Sequence, residues 1–258
     1  FLRVASATPA IQVANCPYNA HQIIAVAKQA AEKQVSAIVF PELCLTGYTC
    51  GDLFFQQTLL TSAINGLETI LKELKQEDII CIVGLPIRVE TNLYNCAAVC
   101  YHGKLLGIVP KTNLVDQGGL NETRYFCTAP AYREIILCHQ TVPFGTNIIF
   151  SCDTLTEFQF GVEICKDIWV TEPPSNILAK EGATVIFNLS ASTEVVGRAA
   201  YRKTLVTGQS AKLICAYVYA DAGEGESTTD YVYSGHDLIS ENGTVLAESP
   251  LFYTGFID

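Results

Sequence analysis

The hydrophobic positions of this chain switch between two periods, strand-like runs and helix-like stripes. Residues 2–7 predict a strand. Over 21–33, Ile23, Ala27, Ala30 and Ala31 share one face, which predicts a helix. Residues 37–40 form a continuous apolar strand. Leu60, Ala63, Ile64, Leu67, Ile70, Leu71 and Leu74 recur at helical spacing and predict a long helix over 52–75, with Asp52 as its N-cap. Residues 79–85 predict a strand, and 95–101 and 105–109 flank the turn His102-Gly103-Lys104 as a hairpin. The polar stretch 112–130 reads as a loop, long for a compact domain and therefore a place to look for function. The alternation then resumes, with strands over 158–164, 184–189 and 214–220 and helices over 174–181 and 198–212. A last hairpin pairs 236–239 with 244–247 across Glu241-Asn242-Gly243, and 255–258 reads as a strand. Strands this continuously apolar belong in sheets covered by helices, so the pattern predicts an α/β fold. No linker, low-complexity segment or composition shift divides residues 1–258, which read as a single domain.

Three of these strands end in chemistry. Residues 37–40 run through Pro41 into Glu42, 105–109 run through Pro110 into Lys111, and 158–164 run into Cys165. A carboxylate, an amine and a thiol just past buried strands make a base, an oxyanion stabiliser and a nucleophile for attack on an amide. The backbone N–H of Lys166 is a second oxyanion donor. On this reading the charge of Lys111 lowers the Cys165 pKa, and Cys165 should be the fastest of the cysteines to be alkylated. Glu163, two residues before Cys165, falls on the same face by strand alternation and ranks as a rival acid. Asp167 and Trp169 are assigned to the turn. Cys44 and Cys50, near Glu42, are read as packing residues.

Composition narrows the partners. The 258 residues carry 16 basic and 26 acidic side chains, a net charge of −10, which disfavours nucleic acid and anionic membranes. Eleven cysteines, many inside apolar runs, point to a reducing cytoplasm. No stretch has transmembrane length, no signal peptide opens the chain, and no Cys/His spacing matches a metal site. No cofactor is expected for this domain. The absence of methionine suggests a trimmed start.

Phe-Pro-Glu-Leu (40–43), Pro-Lys-Thr (110–112) and Glu-Ile-Cys (163–165) resemble the Glu-Lys-Cys triad of the nitrilase, or carbon–nitrogen hydrolase, superfamily. Leu-Thr-Gly-Tyr-Thr-Cys-Gly-Asp-Leu-Phe (45–54), Val-Pro-Phe-Gly (142–145), Asn-Leu-Ser-Ala-Ser (188–192) and Gly-Glu-Ser-Thr-Thr-Asp (225–230) resemble the amino-terminal glutaminase domain of glutamine-dependent NAD synthetases. The resemblance implies a nitrilase-like α-β-β-α sandwich of two mixed sheets with pseudo-symmetric halves. It implies a cysteine amidase that hydrolyses the side-chain amide of glutamine to glutamate and ammonia for ATP-dependent NAD synthesis from deamido-NAD. It also implies a homo-oligomer, and a partner synthetase domain or subunit, whose ATP-binding loop this sequence lacks. Glu122 matches the second glutamate that supports the triad. Tyr48, Ser192 and Arg198 match residues lining the glutamine pocket. Three positions depart from the family pattern: Lys166 stands where an acid usually holds the substrate's α-amino group, Gln117 replaces a loop aromatic, and Thr193 replaces an asparagine. Two alternatives stay open, a stand-alone amidase for another small carboxamide and a catalytically silent assembly domain.

Overall fold

The alternation of elements closes into four layers. In a computed structural model describing residues 2–258, the elements run in chain order β1 (Val4–Thr8), α1 (Cys16–Glu32), β2 (Ala37–Val39), α2 (Gln57–Glu73), β3 (Ile80–Val89), β4 (Asn92–Tyr101), β5 (Lys104–Pro110), β6 (Arg133–Leu137), β7 (Gln140–Phe144), β8 (Phe150–Ser151), β9 (Gln159–Ile164), α3 (Pro174–Lys180), β10 (Val185–Leu189), α4 (Arg198–Leu213), β11 (Ala216–Ala220), β12 (Leu238–Glu241), β13 (Thr244–Glu248) and β14 (Gly255–Ile257). An eight-stranded sheet has the order β14-β1-β2-β3-β4-β5-β7-β6, and a six-stranded sheet the order β13-β12-β11-β10-β9-β8. Both are mixed, so this is the α-β-β-α sandwich of the nitrilase type.

Side-chain alternation along the strands builds the layers. Val39, Ile82, Val99 and Val109 of the first sheet face Phe160, Val162, Ile164, Phe187, Leu189 and Val218 of the second. The opposite faces pack on helices, the first sheet under α1 and α2, the second under α3 and α4. Gly161 lets α3 approach: a Cβ there would meet Leu178 Cδ1 at 2.7 Å.

Strand direction then decides where the chemistry emerges. β2 and β3 are parallel, and the antiparallel steps from β3 to β4 and from β4 to β5 turn β5 back to their direction. In the second sheet β9, β10 and β11 are parallel. The residues after β2, β5, β9 and β10 are brought together, where a fourth apolar cluster that includes Leu43, Tyr48, Phe54, Leu114, Phe126 and Tyr233 seals the ends.

Four expectations need correction. Helix α1 begins at Cys16, because the Asn15 side chain caps the Tyr18 N–H at 3.3 Å and Pro17 fits the first turn. The long helix is broken: 3₁₀ turns span Tyr48–Phe55, with Gly51 at φ +55°, before α2 starts. Asp52 is therefore no cap, and instead pairs with Arg124 at 2.9 Å. Ile214 is not in β11; it ends α4 at φ +52° and is exposed. Glu163 faces away from Cys165. It lies under α3, accepting from the Ser175 N–H at 2.8 Å and from the Tyr217 hydroxyl, and burial pushes its carboxyl up to about 7. Alternation misleads here because β9 stops at Ile164 and Cys165 leaves it at φ +46°.

Candidate active site

Glu42 is placed by a tight turn folded onto the sheet. Residues 41–47 close on themselves through Cys44 N–H to Pro41 O and Gly47 N–H to Leu43 O, with Leu43 at φ +52°. The turn lies directly against Gly84 of β3, where a Cβ would stand 2.4 Å from Leu43 N and 2.5 Å from Pro41 O. Only glycine allows this approach. Glu42 is completely buried. Its Oε1 accepts from Asn95 Nδ2 at 2.7 Å and Lys111 Nζ at 2.5 Å, and its Oε2 from the Ala191 N–H at 3.1 Å. Burial pushes the carboxyl up to about 7 against the opposing pull of Lys111.

Lys111 is also buried and bridges two carboxylates, Glu42 at 2.5 Å and Glu122 at 2.7 Å. Burial would lower its pKa, but the two acids outweigh that and raise it, so the ammonium keeps its charge. Two of its three protons are committed, leaving one for a developing oxyanion. Glu122 sits on the long loop in a 3₁₀ turn capped by Asn121. Its Oε1 also accepts from the Tyr48 hydroxyl at 2.8 Å, and its Oε2 from the Val115 N–H at 2.8 Å. Tyr48 is in turn fixed by buried Glu226, which accepts from the Tyr48 and Thr49 N–H groups at 2.6 and 3.1 Å.

Cys165 follows β9 in a left-handed backbone conformation rare for a side chain with a Cβ, and it opens a short 3₁₀ turn. Asp167 holds that turn, accepting from the Ile164 N–H at 3.0 Å and from the Asn113 N–H at 2.8 Å, which ties the nucleophile strand to the long loop. The thiol is pushed well up, first by burial and then by Glu42, and Lys111 only partly opposes this. The resting group is therefore a neutral thiol, not the Lys111-stabilised thiolate. Glu42, lifted to about 7 by burial, is a nearby base for its proton. The Ala191 N–H that donates to Glu42 also faces the sulfur, which sets acid and thiol side by side.

Above Cys165 opens a cavity of about 540 Å³, within the size range of small-ligand sites. Lys166, Gln117, Ser192, Arg198 and Thr193 all line it. Lys166 Nζ donates to the Leu114 carbonyl at 2.8 Å, so its ammonium lies along the long loop. Arg198, at the start of α4, lies over the Trp169 ring at 5.6 Å from its centroid. Ser192 is set by its N–H to Asp221 Oδ1 at 2.7 Å. Tyr48 does not line this cavity. It opens onto a neighbouring one of about 290 Å³, with Leu120 and Tyr231 forming walls of both. Among the described residues no group of three or more His, Cys, Asp or Glu is arranged to hold a metal ion.

Asn95, Glu226 and Asp221 were missed in the sequence. Glu226 stands inside the motif at 225–230, which was readable as a motif but not as a clamp on Tyr48. Asn95, inside an apolar run, offered only its own polarity as a signal.

The carbon–nitrogen hydrolase family profile matches residues 3–257. The chain belongs to that family. It is a carbon–nitrogen hydrolase. It is 38% identical over 256 residues to the glutamine-dependent NAD(+) synthetase of Mycobacterium tuberculosis, covering 99% of this chain and 38% of the relative. It is 30% identical over 223 residues to the human glutamine-dependent NAD(+) synthetase, covering 82% of this chain and 31% of the relative. The crystal structure of a glutamine-dependent NAD(+) synthetase from Cytophaga hutchinsonii superposes with a TM-score of 0.88 at 28% identity, over 99% of this chain and 42% of that one. The chain thus spans about a third to two fifths of the length of these relatives. No helix among the described residues is long and apolar enough to cross a membrane.

Proposed function

We propose that this carbon–nitrogen hydrolase is a cysteine amidase that cleaves a small primary carboxamide. Its relatives are glutamine-dependent enzymes by name, so glutamine is the first substrate to test. The observation that carries the reading is the buried Lys111 ammonium held between Glu42 and Glu122, with all three charges acting on the thiol of Cys165 at the floor of a cavity. As sulfur attacks the amide carbon, the thiol proton passes to Glu42, and the carbonyl oxygen becomes an oxyanion facing the remaining Lys111 proton and the Lys166 N–H. Collapse breaks the C–N bond, Glu42 returns its proton to the leaving nitrogen, and ammonia departs. Water then attacks the thioester, giving its proton to Glu42, and the carboxylate product leaves with the thiol restored. Glu122 touches no substrate in this scheme; it positions Lys111. Homology to much longer NAD(+) synthetases supports a further role for the released ammonia, in amidation of deamido-NAD by an ATP-dependent segment outside this chain.

The test is ammonia release from glutamine and other small amides by the protein and by Cys165→Ala, with intact-mass detection of the acyl-enzyme. Turnover that disappears in Cys165→Ala is the expected result. Turnover that survives the substitution overturns the assignment.

A further inference from the structure

Charge is distributed unevenly in the cavity above the thiol. Among the described residues, Lys166 and Arg198 are the charged residues of its wall, and no carboxylate lines it. Its volume of about 540 Å³ has a cube root of about 8 Å. That matches the ~8 Å Debye length at physiological salt, so any group inside feels both cations. Neither cation is neutralised: Lys166 donates to a backbone carbonyl, and Arg198 has no ion pair among the described residues. The nearby carboxylates are engaged or outside. Glu194 accepts from Arg202 at 3.1 Å and from Ser234 at 2.9 Å. Asp116 accepts from Thr123, and Asp230 lines the neighbouring cavity. The buried cluster behind the sulfur carries two acids against Lys111, at most one net negative charge, and it faces the reacting amide rather than the far end of the substrate.

We propose that the cavity selects a small amide that carries a carboxylate and no ammonium group, the monoamide of a dicarboxylic acid. The inference rests on the amidase reading above and names its substrate class. With the amide at Cys165, the opposite end of a four- or five-carbon acid reaches Arg198 and Lys166. Arg198 suits a carboxylate by its planar fork of donors, and its cation–π contact with Trp169 keeps it beside the cavity. An amino acid brings the same carboxylate together with an ammonium, and the wall offers that ammonium two like charges and no acid. Electrostatics therefore disfavours glutamine relative to the same skeleton without its α-amino group.

The probes are glutaramate, which is glutamine with hydrogen in place of the ammonium, glutamine itself, and butyramide, which lacks both charges. Steady-state kinetics on the wild-type protein should give a kcat/KM for glutaramate at least about tenfold above that for glutamine. Lys166→Glu keeps the backbone N–H and should move the ratio toward glutamine by about tenfold or more; Lys166→Met should move it in the same direction by less. Arg198→Gln should bring glutaramate toward butyramide through KM, with kcat little changed. Glutamine turned over by the wild type as well as or better than glutaramate overturns the inference and leaves the amidase reading standing. So does a ratio unmoved in both Lys166 variants, each checked for folding by thermal melt. No ammonia from any of the three amides, and no acyl adduct on Cys165, overturns both.

Discussion

Around Lys111 every charge has a partner: two carboxylates on one ammonium, and an amide side chain, a hydroxyl and two backbone N–H groups on those carboxylates. Around Lys166 and Arg198, on the other side of the thiol, no carboxylate among the described residues answers either cation. The first region stands on sheet ends and a turn pressed against Gly84, with Glu122 reaching in from a capped 3₁₀ turn of the long loop. The second is walled by the long loop, the turn after β9 and the start of α4. Rigid, fully bonded parts hold the groups that make and break bonds, where small displacements would be most costly. Open, loop-built parts hold unmatched charge, which is where a ligand supplies the missing partner.

The comparison breaks most visibly at Lys111. Lys111→Met leaves two buried carboxylates without their cation, a change of the kind that destabilises by about 3–5 kcal/mol. Glu42→Gln preserves size and most hydrogen bonds but removes the base. Each should lower kcat by about 10²–10⁴-fold, whereas cavity variants such as Arg198→Gln act through KM. Glu42→Gln with near wild-type kcat would remove the base from the mechanism.

Gly84→Ala tests whether placement of Glu42 depends on the turn. The added Cβ meets backbone at 2.4 and 2.5 Å, where no flexible side chain can yield. The expected outcome is a loss of about 1–3 kcal/mol in chemical denaturation together with a fall in kcat, although position 84 touches no substrate. Unchanged kcat would show that the turn tolerates displacement.

Protonation sharpens the contrast further. Glu42 must be ionised to act as base, and burial lifts it to about 7, so kcat/KM should rise with pH through about 7 and then level. Stability should run the other way. Glu42 and Glu163 at about 7, Asp221 at about 6 and Asp237 at about 8 all lie above their unfolded values. Between about pH 4 and pH 8 the folded chain therefore holds protons that the unfolded chain has released, and stability falls as pH rises through that window. Burial gives Asp237 its share, outweighing the Asp221 N–H at 3.0 Å and the Thr8 hydroxyl at 3.1 Å, whose donated hydrogen bonds favour the charged carboxylate. Thermal melts should show a lower Tm at high pH, with a flatter profile in Asp237→Asn. A Tm that rises across the window contradicts the assignment.

The smallest effect is in thiol reactivity. Hydrogen bonds from Thr154 lower the pKa of Cys152, a half-exposed thiol, while burial raises that of Cys165. A bulky maleimide should therefore label Cys152 before Cys165, opposite to the order expected from the sequence. Labelling of Cys165 first would indicate a preformed thiolate.

Much of this was legible in the chain itself. Continuous apolar runs ending at Glu42, Lys111 and Cys165 marked both the strands and the chemistry, because a parallel strand buried on both faces has few other places to expose a polar group. The two closing hairpins were legible from His102-Gly103 and Asn242-Gly243, whose positive φ values suit their turns. Strands β6, β7 and β8 passed unread, since β6 alternates between half-exposed and exposed positions and offers no continuous core. Glu163 was placed on the wrong face because period-two alternation holds only while the strand lasts. That Lys111 joins Glu42 and Glu122, that Cys165 rests as a thiol and that Lys166 and Arg198 stand without an acid were decided by tertiary structure alone. Residue type and local period are properties of neighbours in sequence. Charge balance and pKa depend on what segments far apart in the chain bring within a few ångströms once water is excluded.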